Sequence, residues 1–160
     1  MVDAEPSTLP DPPFDRANRD GCRTPMQWDA SPGAGFSTAT PWLPTVDAAA
    51  RNVADQAADP ASLLTLYRRL IALRAASPAV ARGTHRSIFG VAADVLAWLR
   101  ESDGERVLVL LNLGDAARAC SLVRVDAMSG EVLVATSART GRVELDGLQL
   151  DPLEGLVLRL

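Results

Sequence analysis

The spacing of apolar residues changes twice along the chain and divides it into three zones. The first zone, Met1 to about Asp59, is rich in Pro, Gly and Ala and keeps neither a strand period nor a helix period. A loop-like stretch of this length is uncommon inside a self-contained domain. Apart from one or two helical turns between Val46 and Ala57, we therefore expect an extended segment that rests on another part of a protein.

The second zone has the period of an amphipathic helix. Asp59 is a favoured N-cap residue, Pro60 is favoured at the first helical position, and Pro78 stops a helix. The pattern predicts a helix over residues 60–78. Positions on one face recur every three or four residues and predict a buried stripe of Leu63, Leu66, Tyr67, Leu70, Leu73 and Ser77.

The third zone, residues 82–160, has the short apolar runs and turn signals that are typical of β-structure. Around seven strands at regular spacing predict a mainly β, antiparallel sandwich or barrel. Val107–Leu111 is apolar on both faces, so we expect it to be the central buried strand. The predicted strands are Thr84–Phe89, Val95–Arg100, Val107–Leu113, Arg118–Val123, Glu131–Thr136, Arg142–Leu145 and Gly155–Leu160.

Composition and charge limit which classes of partner and which cellular location are expected for the chain. A net charge of −4 disfavours nucleic acid as a partner, because phosphate binding needs a basic face. No apolar run approaches the roughly 20 residues that span a bilayer, so no membrane is expected. Residues 1–10 lack the apolar core of a secretory signal, and Cys22 and Cys120 are the only cysteines. These features favour free thiols and a cytoplasmic protein.

The segment Asn18–Asp29 is where chemistry is concentrated. It places arginines, aspartates, an amide and an indole in a stretch that is too polar for a core strand and too rich in Gly and Pro for a helix. Indole faces and Arg–Asp pairs are suited to holding a sugar. The segment therefore predicts one wall of a binding cleft.

The same segment carries a family resemblance. Residues 19–28 resemble the Arg-Asp-x-x-Arg-Thr-Pro-Met-Gln-Trp motif of α-glucosidases and oligo-1,6-glucosidases of the α-amylase superfamily. The run Leu66–Arg74 resembles the last barrel helix of these enzymes, and Val107–Leu113 resembles a strand of their C-terminal domain. The resemblance implies three parts: residues 1–59 as the end of a (β/α)8 barrel, residues 60–78 as its last helix, and residues 82–160 as a Greek-key β-sandwich.

The resemblance also implies which residues contact substrate. Arg19 matches a residue that holds the non-reducing-end glucose, and Asp20, Gln27 and Trp28 complete the predicted substrate-binding set. For Arg19 the alternative is a bracing ion pair with Asp20 or Asp15. For Trp28 the favoured alternative is an aromatic cluster with Phe36 and Trp42 that anchors the loop. The catalytic carboxylates of the family lie upstream of this motif, so no catalytic residue, metal site or cofactor is expected in this chain.

Three functions remain open. The favoured one is a non-catalytic, C-terminal part of an α-glucosidase-like glycoside hydrolase that acts on α-glucosidic oligosaccharides. The alternatives are an independent carbohydrate-binding module and one chain of a split glycosidase or trehalose-forming enzyme. Without a barrel, the resemblance implies an exposed apolar face on the predicted helix and around Trp28 and Trp42. A barrel-bearing partner chain or a second copy of the chain would cover that face.

Overall fold

The computed structural model describes residues 22–160 of the chain, and these form two compact units that meet in sequence between Thr65 and Leu66. The helices are α1 (Val53–Ala58), α2 (Leu63–Ala76) and α3 (Pro78–Arg82), with a short 3-10 turn at Pro32–Gly35. The strands are β1 (Thr84–Ser87), β2 (Val95–Ser102), β3 (Glu105–Asn112), β4 (Arg118–Ala119), β5 (Ser129–Ala135), β6 (Arg142–Glu144), β7 (Gln149–Leu150) and β8 (Gly155–Arg159).

The first unit is a long irregular segment closed by α1. The side chain of Asn52, which is buried, caps this helix by accepting a hydrogen bond from the Asp55 N–H. The first two N–H groups of α1 donate backwards to the carbonyls of Gln27 and Trp28, at 3.0 and 2.9 Å. The first N–H groups of a helix have no acceptor within the helix itself. Their bonds to Gln27 and Trp28 therefore hold the predicted cleft segment in place.

Helix α2 begins three residues later than its predicted start at Pro60. Ser62, rather than Asp59, caps it, because the Ser62 hydroxyl accepts a hydrogen bond from the Thr65 N–H at 3.1 Å. Asp59 instead ends α1, where its N–H donates to the Asp55 carbonyl. The N-cap prediction for Asp59 is wrong. Asp59 and Ser62 are both favoured N-cap residues and lie three positions apart, but Asp59 forms the end of α1 and Ser62 caps α2.

Most of the stripe that was predicted to be buried is not. Leu63, Tyr67 and Leu70 are exposed, and Leu66 and Leu73 are half-buried. Ser77, just beyond the end of α2, is buried as predicted. No residue of α2 is buried, and Leu63, Tyr67 and Ile71 are each more than half exposed. Trp28 and Trp42 are exposed as well. The expectation of exposed apolar surface at these places is thus confirmed.

The second unit is dominated by antiparallel sheet, as predicted. Six strands pair in the order β1-β2-β3-β8-β5-β6, and β4 and β7 form a separate two-stranded sheet. β3 lies between β2 and β8 in the middle of the large sheet, so the prediction of a central strand at Val107–Leu111 is confirmed. β7 was not predicted, and β4 is shorter than its predicted run; a Greek-key connection stays a prediction.

The core lies against one face of the large sheet. Alternate residues of the three central strands are fully buried, among them Leu99, Leu108, Leu110, Leu156 and Leu158. The same cluster includes Cys120, Leu122, Leu148 and Leu150 from the smaller sheet and its flanking loops. Side chains from both sheets therefore share one core, which is what stabilises so small a second sheet.

Helix α3 is tied to the large sheet by side chains of the strands. The Glu105 carboxylate accepts hydrogen bonds from the Ser77 hydroxyl at 2.8 Å and from the Ala79 N–H at 3.0 Å. The Arg100 guanidinium donates to the carbonyls of Ala79 and Val80. A carboxylate at the start of the helix and a cation near its end both suit the helix dipole. Within residues 22–160, no helix is long and apolar enough to cross a membrane.

Candidate functional site

Two of the four predicted substrate-binding residues can be placed in the structure. Arg19 and Asp20 lie outside the described residues, as does Asp15. Gln27 and Trp28 lie in the irregular segment that leads to α1. The structure therefore describes the downstream half of the predicted cleft wall.

Trp28 is held firmly by its backbone and presents half of its side chain to solvent. Its N–H donates to the Ala34 carbonyl at 2.8 Å, and its carbonyl accepts from the Ala54 N–H at 2.9 Å. The residue is 50% exposed. A fixed backbone under an exposed indole lowers the conformational entropy that is lost when a ring stacks on a ligand. Trp28 thus has an exposed ring on a fixed backbone, and its contact with a sugar stays a prediction.

A tight turn supports Trp28 from residue 29 to residue 35. The Asp29 carboxylate accepts hydrogen bonds from both the N–H and the hydroxyl of Ser31, and these bonds lower the pKa of Asp29. Gly35 has φ +64°, and a Cβ atom there would lie 2.7 Å from Asp29 Oδ2. Only glycine fits so close to the carboxylate with this backbone. The turn is therefore specified by Asp29 and Gly35 together.

Gln27 braces the segment with its side chain. Its Oε1 accepts a hydrogen bond from the Asp47 N–H at 2.7 Å, and its Nε2 donates to the Arg51 carbonyl at 2.9 Å. It also borders a shallow hollow of about 320 Å³. One Nε2 hydrogen stays available for another acceptor. The geometry thus makes Gln27 a loop brace, and its contact with substrate stays a prediction.

The predicted aromatic cluster is not formed. Trp28, Phe36 and Trp42 are 50%, 51% and 78% exposed, and the one pair of neighbouring rings within residues 22–160 is His85 with Trp98, tilted and 6.1 Å apart. Gly33 and Ala34, between Trp28 and Phe36, both adopt left-handed backbone conformations. Hydrogen bonds, not ring packing, hold this loop.

A cavity of about 530 Å³ lies beside Trp42. Hydroxyl-bearing residues and prolines form the rest of its wall: Ser37, Thr38, Thr40 and Thr45, with Pro32, Pro41 and Pro44. Sequence reasoning assigned Trp42 to the aromatic cluster and missed this cavity. The available signal was the recurrence of Ser and Thr on both sides of the Pro41–Trp42 pair.

Neither Asp29 nor Glu154 has the raised pKa of a glycosidase acid. That role needs a carboxyl group with a raised pKa. The pKa of Asp29 is lowered by its bonds to Ser31, so the group stays ionised. Glu154 is buried, and its carboxylate is fully engaged with Arg139, Ser137 and Asp151. Within residues 22–160, no three His, Cys, Asp or Glu side chains gather as metal ligands would.

The known proteins that this chain is similar to include glycoside-active enzymes. The family model described as "Alpha amylase, catalytic domain" matches residues 6–83. A probable alpha-glucosidase of Rhizobium meliloti (strain 1021) is 41% identical over 76% of this chain and 22% of its own length. Trehalose-6-phosphate hydrolase of Bacillus subtilis (strain 168) is 36% identical over 89% of this chain and 26% of its own. The chain thus spans about a quarter of the length of these relatives.

Solved structures give the same result at the level of the fold. The trehalulose synthase MutB from Pseudomonas mesoacidophila MX-45 superposes with a TM-score of 0.76 and 34% identity, over 88% of this chain and 26% of that one. An F164L mutant of MutB, from crystals soaked with trehalulose, gives a TM-score of 0.77 over 89% of this chain. The similarity covers nearly nine tenths of the chain in both structures. The chain is therefore similar to enzymes of the α-amylase family, and its relatives include α-glucosidases and oligo-1,6-glucosidases.

Proposed function

We propose that this chain is a non-catalytic, C-terminal part of a glycoside hydrolase that acts on α-glucosidic oligosaccharides. The observation that supports this most directly is the shared chemistry in the names of its relatives. Alpha-glucosidase, oligo-1,6-glucosidase and glucan 1,6-alpha-glucosidase all name an α-glucosidic substrate. The chain aligns with them over 61–76% of its length.

In this proposal the segment around Trp28 forms one wall of the substrate cleft. The Trp28 indole supplies a ring face on which a pyranose stacks, and Gln27 stiffens the backbone beneath it. Arg19 and Asp20 complete the set: a guanidinium can fork two hydrogen bonds to sugar hydroxyls or to a carboxylate that orients them. The sheet unit serves as a structural domain.

The chain is proposed to be non-catalytic because glycoside hydrolysis needs two carboxyl groups, one of which must be protonated when it meets the substrate. Asp29, the described carboxylate next to Trp28, has a lowered pKa and two hydrogen bonds from Ser31 that keep it ionised. The two required carboxyl groups would come from the part of the enzyme that corresponds to the rest of its relatives' length.

A second candidate is one chain of a split glycosidase or trehalose-forming enzyme. The exposed apolar face of α2, with Leu63, Tyr67 and Ile71, favours it. This helix lies inside the range matched by the catalytic-domain model. The two candidates differ in one measurement: a split enzyme gains activity when the purified chain is mixed with a separate chain that bears the barrel.

The first test is hydrolysis of p-nitrophenyl α-glucoside and of maltose by the purified chain. We expect the purified chain to turn over neither substrate faster than its Arg19→Ala variant does. Turnover that disappears in Arg19→Ala would overturn the non-catalytic assignment, because it would require an acting carboxyl pair within this chain.

The second test is weak maltose binding, measured by NMR titration. Trp28→Ala should weaken the affinity for maltose, because it removes the ring on which the sugar stacks. Phe89→Ala should leave that affinity unchanged. Phe89 is a suitable control because it is 77% exposed and lies in the sheet unit. Equal maltose affinity of Trp28→Ala and the unmodified chain would remove Trp28 from the proposed cleft.

A further inference from the structure

We propose that the cavity beside Trp42 is a second saccharide site, which holds an α-linked glucose disaccharide. The saccharide class rests on the proposed function, whereas the site itself rests on the geometry of Trp42 and of the cavity wall. In this proposal the saccharide covers the Trp42 indole, and a barrel-bearing partner chain or a second copy does not. The site is a separate surface from the exposed Trp28 ring, since Trp28 does not line this cavity.

Trp42 is displayed on a stiff piece of backbone. Leu43, the next residue, is buried with only 4% of its surface exposed, while Trp42 is 78% exposed. Pro41 and Pro44 flank the pair and fix the backbone φ angle on both sides. Burial of Leu43 therefore anchors the segment and directs the neighbouring indole outward. An exposed indole held in this way gives a large, rigid contact surface at low entropic cost.

Four of the other residues that line the cavity carry hydroxyl groups: Ser37, Thr38, Thr40 and Thr45. The Ser37 oxygen accepts a hydrogen bond from the Ala39 N–H at 3.0 Å and can still donate its own hydrogen. Within the described part of the chain, the hydroxyls of Thr38, Thr40 and Thr45 make no hydrogen bond. These four lining residues therefore have hydroxyl groups that can still form hydrogen bonds with a ligand.

This combination selects a saccharide over other small molecules. A pyranose has an apolar face of C–H groups, which stacks on an indole, and an edge of hydroxyls, which exchange hydrogen bonds with Ser and Thr. Among residues 22–160, no charged side chain lines the cavity, so the described wall offers no counter-ion to a phosphorylated or otherwise ionic ligand. A volume of about 530 Å³ lies within the usual range for ligand sites, about 300–1,000 Å³. A disaccharide is therefore the class that fits.

The test uses fluorine NMR of the chain labelled with 5-fluorotryptophan. The chain has three tryptophans, and Trp28, Trp42 and Trp98 each give one resonance that a Trp→Phe variant assigns. Maltose and isomaltose are titrated, with sorbitol as a control polyol. We expect a saturable shift of the Trp42 resonance with both disaccharides and not with sorbitol. Trp42→Ala should weaken the fitted affinity at least about tenfold.

The hydroxyl wall has its own variant. Thr40→Val keeps the shape of the side chain and removes one hydroxyl, so it should weaken binding several-fold without unfolding the loop. Phe89→Ala, at equal exposure but outside the cavity, should leave the affinity unchanged.

The outcomes separate this proposal from the proposed function. If the disaccharides shift the Trp28 resonance but not the Trp42 resonance, the second site is overturned and the cleft assignment stays intact. If they shift the Trp42 resonance but not the Trp28 resonance, the second site is supported and the cleft assignment is contradicted. An equal response to sorbitol, or an unchanged affinity in both Trp42→Ala and Thr40→Val, also overturns the proposal.

Discussion

Replacing Glu154 by alanine should destabilise the sheet unit strongly. Glu154 immediately precedes β8, and only 2% of its surface is exposed. Its carboxylate accepts hydrogen bonds from Nε and Nη2 of Arg139, at 3.0 and 3.1 Å, and from the Asp151 N–H at 2.9 Å. The Ser137 hydroxyl donates a further one. One side chain thus connects the segments before and after β7.

The magnitude depends on the groups that the substitution leaves behind. Removing one partner of a buried ion pair costs about 3–5 kcal/mol, because the other charge stays without compensation. The Arg139 side chain is 28% exposed and can recover some hydration, so we expect about 3 kcal/mol for Glu154→Ala. Since a small domain has about 5–15 kcal/mol of stability in total, this loss is a large share of it.

The matched control is Glu131→Ala. Glu131 also pairs with an arginine, Arg159, at 3.1 Å, but its side chain is 54% exposed, so we expect a loss of about 1 kcal/mol or less. Urea unfolding, followed through the fluorine resonance of 5-fluorotryptophan at Trp98 in β2, gives the free energy of unfolding of this unit. Equal losses in Glu154→Ala and Glu131→Ala would refute the assignment of a buried, stabilising pair.

The same pair predicts a pH dependence. Burial alone would raise the pKa of Glu154, but the bonds from Arg139, Ser137 and Asp151 outweigh it and lower the pKa below its ordinary value. A lowered folded-state pKa contributes stability above the unfolded value of about 4.3, and this is lost as the pH falls through the folded value. The stability difference between the unmodified chain and Glu154→Gln should be constant near neutral pH and shrink below about pH 4. A difference that stays constant down to about pH 3 would contradict this.

Three further perturbations test single features of the structure. Asn112→Ala removes a buried amide that donates to the carbonyls of Ala116 and Asp151 at 2.8 Å each, and should cost about 1–3 kcal/mol in urea unfolding. Gly35→Ala should shift the fluorine resonance of Trp28 and loosen the loop, because a Cβ atom there would lie 2.7 Å from Asp29 Oδ2. Gly33 also has a positive φ but has open space around it, so Gly33→Ala should cost only about 1–2 kcal/mol of backbone strain. Cys120 should react slowly with a thiol reagent in the folded chain, because burial raises the pKa of its thiol, and rapidly once unfolded; fast labelling in the native state would show that the core opens.

The sheet could be predicted from sequence because alternation reports directly which side of a strand is buried. β3 is the clearest case, since an apolar run on both faces marks a strand with neighbours on each side. The two-residue strands β4 and β7 leave too few positions for any period, and only their pairing with each other defines them. Short strands of this kind are set by tertiary contacts.

The helix shows a different limit of sequence patterns. The period of α2 correctly identified an apolar face, but a period contains no information about what covers that face. Likewise, the start of α2 depended on Asp59 and Ser62, which are both good caps. Contacts made by the preceding helix decided between them, and these cannot be read from local spacing.

The candidate site was predicted in part for a related reason. The motif around Trp28 was recognisable because its chemistry is concentrated in a few consecutive residues. The turn that follows it was not, since Ala34 adopts a left-handed conformation that its residue type rarely takes. Glu154 and Arg139 are fifteen positions apart, and no local spacing predicts that they form an ion pair.

The attachment of α3 to the sheet has a practical consequence for any attempt to excise the sheet unit. The match to the catalytic-domain family model ends at residue 83, which invites a cut just before β1. Such a cut would discard Ser77 and Ala79, leaving the Glu105 carboxylate and the Arg100 guanidinium without the partners they hold in α3. The boundary drawn by sequence similarity therefore runs through a physically continuous unit. A stable excised protein should begin upstream of Ser77, so that the last stretch that resembles the barrel travels with the sheet.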